Sequence, residues 1–219
     1  MNQIQSKERV RNHGEVFTAE REVNAMIDLV RYEAESIESR FLEPACGTGN
    51  FLVPILERKM ARVKRDYRRS QFEFERNAVI AVGSIYGIDL LSDNVEACRG
   101  RLFYVFDSVY LSLYKGRCKE PIRDAVRFIL GKNIITGNAL TLKTEGNHPE
   151  SIIFSHWSPL HGKIKRRDYF FEELIPKDET SDSLFATKQL SDEGNPIFLP
   201  KSIRSFPLVS ILRLAYESN

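Results

Sequence analysis

The 219-residue chain has no apolar run approaching the roughly 20 residues a membrane-spanning helix needs. Its polar, charged N-terminus is unlike a signal peptide. Sulfur is scarce: Cys46, Cys98 and Cys118 form neither a Cys-x-x-Cys pair nor any metal-ligand spacing. That excludes a disulfide framework or a zinc module, and it leaves reduced, mostly buried thiols in a cytoplasmic protein as the expectation. His156 and His161 have no carboxylate or thiolate cluster beside them, so no metal is expected. Net charge is also small, at +2, so any polyanionic partner must be met by local patches. Repeats and low-complexity tracts are absent.

Hydrophobic residues make up 42% of the chain, enough for the core of one α/β domain, alone or with a small appendage. The organising stretch is Phe41-Leu42-Glu43-Pro44-Ala45-Cys46-Gly47-Thr48-Gly49-Asn50-Phe51-Leu52. An apolar start leads to an acid and a proline, then a Gly-x-Gly turn, then apolar residues at helical spacing (Phe51, Leu52, Ile55, Leu56). Strand, glycine turn and helix is how a nucleotide-like cofactor is held in a doubly wound sheet. Glu43 at the strand end would repel a pyrophosphate, and no Lys-Ser/Thr pair follows the glycines, so a P-loop is excluded. An acid there suits a cation, such as a sulfonium carrying an amino group.

The string from Glu43 to Phe51 resembles motif I of the N6-adenine DNA methyltransferases, which includes modification subunits of restriction systems. It matches that family's acid, Pro-Ala-Cys-Gly-Thr-Gly and following Phe at every position. Ahead of it, Gly14-Glu15-Val16-Phe17-Thr18 resembles the family's motif X, which folds over the cofactor. By residue pattern alone, Thr18 caps an amphipathic helix bearing Val23, Met26, Ile27 and Val30. Ile85-Tyr86-Gly87-Ile88-Asp89-Leu90 reads as a second strand ending in an acid and resembles motif II. Asp89 lies well beyond the roughly 20-residue interval of a dinucleotide fingerprint; a charged helical segment fills the excess. An acid there can accept from both ribose hydroxyls. Asn133 to Leu140 reads as a third strand and its exit; resemblance places Asn138 and Ala139 at motif III, against the cofactor's adenine. Pattern alone makes Gly137-Asn138 a turn.

The resemblance therefore implies a Rossmann-like S-adenosylmethionine-dependent methyltransferase fold: a doubly wound, mostly parallel sheet with helices on both faces. The cofactor residues implied are Phe17, Thr18, Glu43, Pro44, Ala45, Cys46, Gly47, Gly49, Phe51, Asp89, Leu90, Asn138 and Ala139, with S-adenosyl-L-methionine as ligand. The implied substrate is double-stranded DNA with a flipped adenine. The family's motif IV, Asn/Asp/Ser-Pro-Pro-aromatic, accepts the amine's hydrogens and stacks the base. No intact copy occurs here. Asn195-Pro196-Ile197-Phe198 keeps Asn195, Pro196 and Phe198; Ser158-Pro159 follows the candidate fourth strand Ser151-Ile152-Ile153-Phe154. Each is read first as an ordinary proline turn. A catalytically silent subunit that binds cofactor or DNA as a scaffold is the alternative, and a small-molecule or protein methyltransferase a third.

Two basic clusters stand out. Arg58, Lys59, Arg62, Lys64, Arg65, Arg68 and Arg69 read first as a solvated helical face. Lys163, Lys165, Arg166 and Arg167, near Trp157 and Tyr169, read as a phosphate-and-base surface or as a solvated loop. Trp157 itself is read as a cover for the sheet edge before a base-stacking ring. Ser92 or Asp93 caps a helix packed through Val95, Cys98, Leu102, Val105, Val109 and Leu113; another runs from Glu120-Pro121 to Gly131. Residues 1–13 read as an arm, 14–175 as the methyltransferase-like domain and 176–219 as an irregular extension packed on it. With no sizeable recognition domain in view, a specificity or restriction subunit is an expected partner.

Overall fold

Phe41–Glu43 forms strand β1, ended by Pro44, which has no N–H to give to a ladder. The computed structural model describes residues 18–175, 189–190, 196–197 and 200–217. Across them the protein is mixed α/β. Before β1 come α1 (Glu20–Leu29) and α2 (Arg31–Glu35). Thr18 does not cap α1: Ala19 precedes the helix and no side chain caps it. Val23 and Ile27 are buried as the spacing predicts, whereas Met26 and Val30 are exposed, so the apolar stripe is narrower than expected.

After β1 come α3 (Leu52–Tyr67) and α4 (Gln71–Gly83), then β2 (Ile85–Asp89), α5 (Ser92–Tyr114), α6 (Glu120–Asn133), β3 (Ile134–Asn138) and β4 (Lys143–Thr144). β1, β2 and β3 run parallel in that order, with Leu42 beside Tyr86 and Ile88 beside Ile135. β4 joins β3 antiparallel. The charged segment holds because its opposite stripe is apolar: Leu52, Ile55, Leu56, Met60 and Val63 are buried. On the polar side Arg58 pairs with Asp28, and Arg62 and Arg65 both pair with Asp66. Lys59 departs from that pattern. It is fully buried, and its ammonium donates to the carbonyls of Ser36 at 2.5 Å and Ser39 at 2.6 Å, tying α3 to the loop before β1.

Gly131 does not end α6. The helix runs on to Asn133, whose buried amide donates to Gly83 O and Ile85 O and accepts from Trp157 Nε1 at 3.1 Å. In α5 the predicted stripe is buried from Val95 to Val105 and partly buried at Val109 and Leu113. Ser92 is already helical, and no side chain caps α5.

One face of the parallel sheet, through Ile85 and Ile134, packs on the helices. On the other, Tyr86 and Ile88 pack not on a helix but on Ile152, Phe154 and Phe171. The expected fourth strand belongs to a second sheet. There β5 (Ile153–Leu160) and β6 (Lys163–Phe170) form an antiparallel hairpin. Its turn is His161-Gly162, both at positive φ (49° and 73°), the geometry of a two-residue hairpin loop. Ser158 and Pro159 are thus inside a strand, not in an exit loop. The predicted loop carrying Lys163 to Arg167 is strand β6. Further on, β7 (Gln189–Leu190) pairs with β8 (Pro196–Ile197). β9 (Arg204–Val209) adds a third strand beside β6, and α7 (Leu214–Glu217) follows a short 3-10 turn.

Candidate functional site

Because β1, β2 and β3 are parallel neighbours, their C-terminal ends share one edge, and each ends in a polar side chain: Glu43, Asp89 and Asn138. A crevice of about 590 Å³ opens there, within the range usual for small-molecule sites. It is lined by Thr18, by 43–47 with Asn50 and Phe51, by 89–91 with Asn94, and by 137–140.

The turn after β1 is built for close approach. Gly47 (φ 52°) and Gly49 (φ 90°) sit in left-handed conformations that a Cβ disfavours. A Cβ on Gly49 would lie 2.9 Å from Cys98 Sγ, and one on Gly87 2.9 Å from Cys46 Sγ. Cys46 is therefore packing, not chemistry: the neighbouring Cys98 and burial push its thiol far up, leaving it protonated. Its N–H donates to Ile88 O at 2.8 Å, and the Gly47 N–H donates to Asp89 Oδ2 at 2.8 Å. Arg101 of α5 closes the other side by donating to Thr48 O, Thr48 Oγ1 and Asn50 Oδ1.

Asp89 is the hub. Besides Gly47, its carboxylate accepts from Leu91 N at 2.9 Å and Asn94 Nδ2 at 3.2 Å. A carboxylate has about four acceptor sites, so a vicinal diol would take the remaining one and displace or share the Asn94 amide. Glu43 is half-buried, and burial raises its pKa above the ordinary value, partly offset by the Ala45 N–H at 3.3 Å. A desolvated acid gains most from a cation. Asn138 Oδ1 accepts from Leu140 N and Thr141 N, an Asx turn. The turn reading thus holds: the carbonyl shapes the loop.

Of the sequence-predicted cofactor residues, Thr18, Glu43, Pro44, Ala45, Cys46, Gly47, Phe51, Asp89, Leu90, Asn138 and Ala139 line this one crevice. Gly49 shapes the turn behind it, and Phe17 lies outside the described residues. Sequence reasoning missed Asn50, Asn94 and Arg101. Asn94 carried a signal, since a residue in the first turn of the helix after β2 can reach back to the strand end. Arg101 carried none, because only packing brings α5 under the turn.

The catalytic candidates are not brought there. Ser158 and Pro159 line a separate cavity with Gly83 and Ser84, at the opposite, N-terminal end of β2. Pro196 lies in β8, while Asn195 and Phe198 lie outside the described residues. Trp157 is 4% exposed and edge-on to Phe128, so it covers the core and does not stack a base. Among the described residues no group of His, Cys, Asp and Glu could hold a metal, and no helix is long and apolar enough to cross a membrane. No protein-family model matches the chain, and neither a curated protein nor a solved structure matches it.

Proposed function

We propose that the crevice binds S-adenosyl-L-methionine in a Rossmann-like methyltransferase fold, and that the protein is an N6-adenine DNA methyltransferase of restriction-modification type working with a recognition partner. The observation that carries this reading is the alignment of Glu43, Asp89 and Asn138 at one edge of three parallel strands, around a glycine turn, with no cation among them. An acidic crevice of this size fits a cationic nucleoside and disfavours a dinucleotide or nucleoside triphosphate. Glu43 would hold the methionine amino group and the sulfonium, Asp89 the ribose hydroxyls, and the Asn138 amide an adenine ring nitrogen. Phe51 and Leu90 would flank the ring and exclude water. When bound, the cofactor supplies a methyl group on a positively charged sulfur.

The test is calorimetric titration with S-adenosylmethionine. Wild type is expected to bind and Asp89→Ala to bind at least about tenfold more weakly, since one charge-assisted hydrogen bond is worth about 1.5–3 kcal/mol. Unchanged affinity in the variant would sink the assignment. A second reading, a scaffold subunit that binds cofactor without transferring methyl groups, is favoured by the placement of Ser158-Pro159 away from the crevice. A methyl-transfer assay on DNA separates the two readings.

A further inference from the structure

The β5–β6 hairpin sorts its charges by strand alternation, since side chains point to opposite faces at successive residues and cross-strand partners share a face. Ile164, Arg166 and Asp168 turn inward and are buried. Arg166 pairs with Asp168 at 2.8 Å and lies over the Phe206 ring at 4.1 Å. The one acid of β6 is therefore engaged internally. Lys163, Lys165 and Arg167 occupy the opposite face, about 7 Å apart along the strand, with Ser158 across from Lys165 and His156 across from Arg167.

A fourth cation joins them. Arg40, just before β1, lines a cavity of about 300 Å³ with His156, Ser158 and Glu38, the single acid there. Burial, together with Arg40 and Arg167, lowers the pKa of His156, so at neutral pH the ring is an uncharged hydrogen-bonding group. Neither arginine makes an ion pair among the described residues. The α3 cluster differs in that Arg58 pairs with Asp28, while Arg62 and Arg65 share Asp66. Among the described residues the outward face of the hairpin carries no such ion pair.

We infer that this face, with Arg40 and Arg167 at its centre, binds the sugar-phosphate backbone of duplex DNA. Guanidiniums without a carboxylate partner present paired donors matched to phosphate oxygens, the lysines add point charges, and Ser158 offers a neutral donor. The inference rests on the reading of the protein as one that acts on DNA.

The experiment is fluorescence anisotropy of the full chain with a labelled duplex of arbitrary sequence over a series of salt concentrations. Arg40→Gln/Arg167→Gln is expected to weaken binding at least about tenfold and to flatten the slope of log K against log salt by about 0.9 for each phosphate no longer neutralised. Lys163→Gln alone, at an exposed position, is expected to flatten it by about half as much as the double variant. Arg62→Gln/Arg65→Gln carries the same charge change on α3 and is expected to leave binding unaltered. Trp157 emission checks that each variant is folded. Equal weakening by the α3 pair, or unchanged binding by the hairpin variants, overturns the inference. A chain that binds DNA through this face but not S-adenosylmethionine overturns the crevice reading alone; one that binds S-adenosylmethionine but not DNA overturns this inference alone.

Discussion

Single residues at the crevice act through burial and reach. Burial keeps the Glu43 proton on to a higher pH than usual, and a cationic ligand needs the ionised form. S-adenosylmethionine affinity is therefore expected to fall as pH drops through Glu43's raised titration, while Glu43→Gln binds at least about tenfold more weakly with a flatter profile over the same range. Titrations of both proteins at several acidic pH values check this. Gly87 is set by contact rather than by φ, because an added methyl would meet Cys46 Sγ at 2.9 Å and Leu52 Cδ1 at 3.0 Å. Gly87→Ala is expected to cost about 1–3 kcal/mol, seen as a lower urea midpoint at an unchanged slope. The strand-end acids were legible in the sequence because each terminates an apolar run. The Arg101 clamp was not, since its partners at Thr48 and Asn50 lie far back along the chain.

Among elements, the two strands of the hairpin are joined by buried polar groups that cannot be left alone. Arg166 and Asp168 are both buried and share Ser155 Oγ. Arg166→Met strands a buried carboxylate and is expected to cost about 3–5 kcal/mol, whereas Arg166→Met/Asp168→Leu recovers part of that loss. Urea unfolding followed by Trp157 emission measures both. Helices α3, α5 and α6 were legible to within a few residues, because apolar spacing of three and four survives any tertiary context. The hairpin was not. Lys163 to Arg167 looks like a solvated loop until strand pairing turns alternate residues inward, and a register exists only once β5 and β9 are beside it.

At the scale of the molecule, pH couples to stability through Lys59. Burial pushes its ammonium from about 10.5 down to about 7. Between those values the unfolded chain holds a proton that the folded chain has released, so stability rises with pH in that window, by up to about 1.4 kcal/mol per pH unit. The gain is lost as pH falls back toward 7. The Cys46 thiol, raised by Cys98 and burial, and the buried Tyr86 and Tyr110 hydroxyls stay protonated in the folded chain, whereas unfolded cysteine and tyrosine ionise at about 8.5 and 10, so they oppose the rise in the upper part of the window. Urea midpoints between about pH 7 and 8, below the titration of an unfolded thiol, are expected to climb in wild type and to stay level in Lys59→Met. A level wild-type profile would show that the Ser36 and Ser39 carbonyls keep the ammonium charged.

The local pieces of the site were already specified by residue order. Strand, glycine turn and helix from Phe41 onward, and the acid ending the next strand, follow from short-range sterics and hydrophobic periodicity, which neighbouring elements modify little. Which pieces meet is a property of the folded chain alone. Parallel pairing gathers Glu43, Asp89 and Asn138 at one edge. The hairpin carries Ser158 and Pro159 to the opposite end, and strand alternation buries Arg166 while leaving Arg167 without an ion pair among the described residues. Those outcomes depend on long-range pairing and burial, which no window of sequence contains.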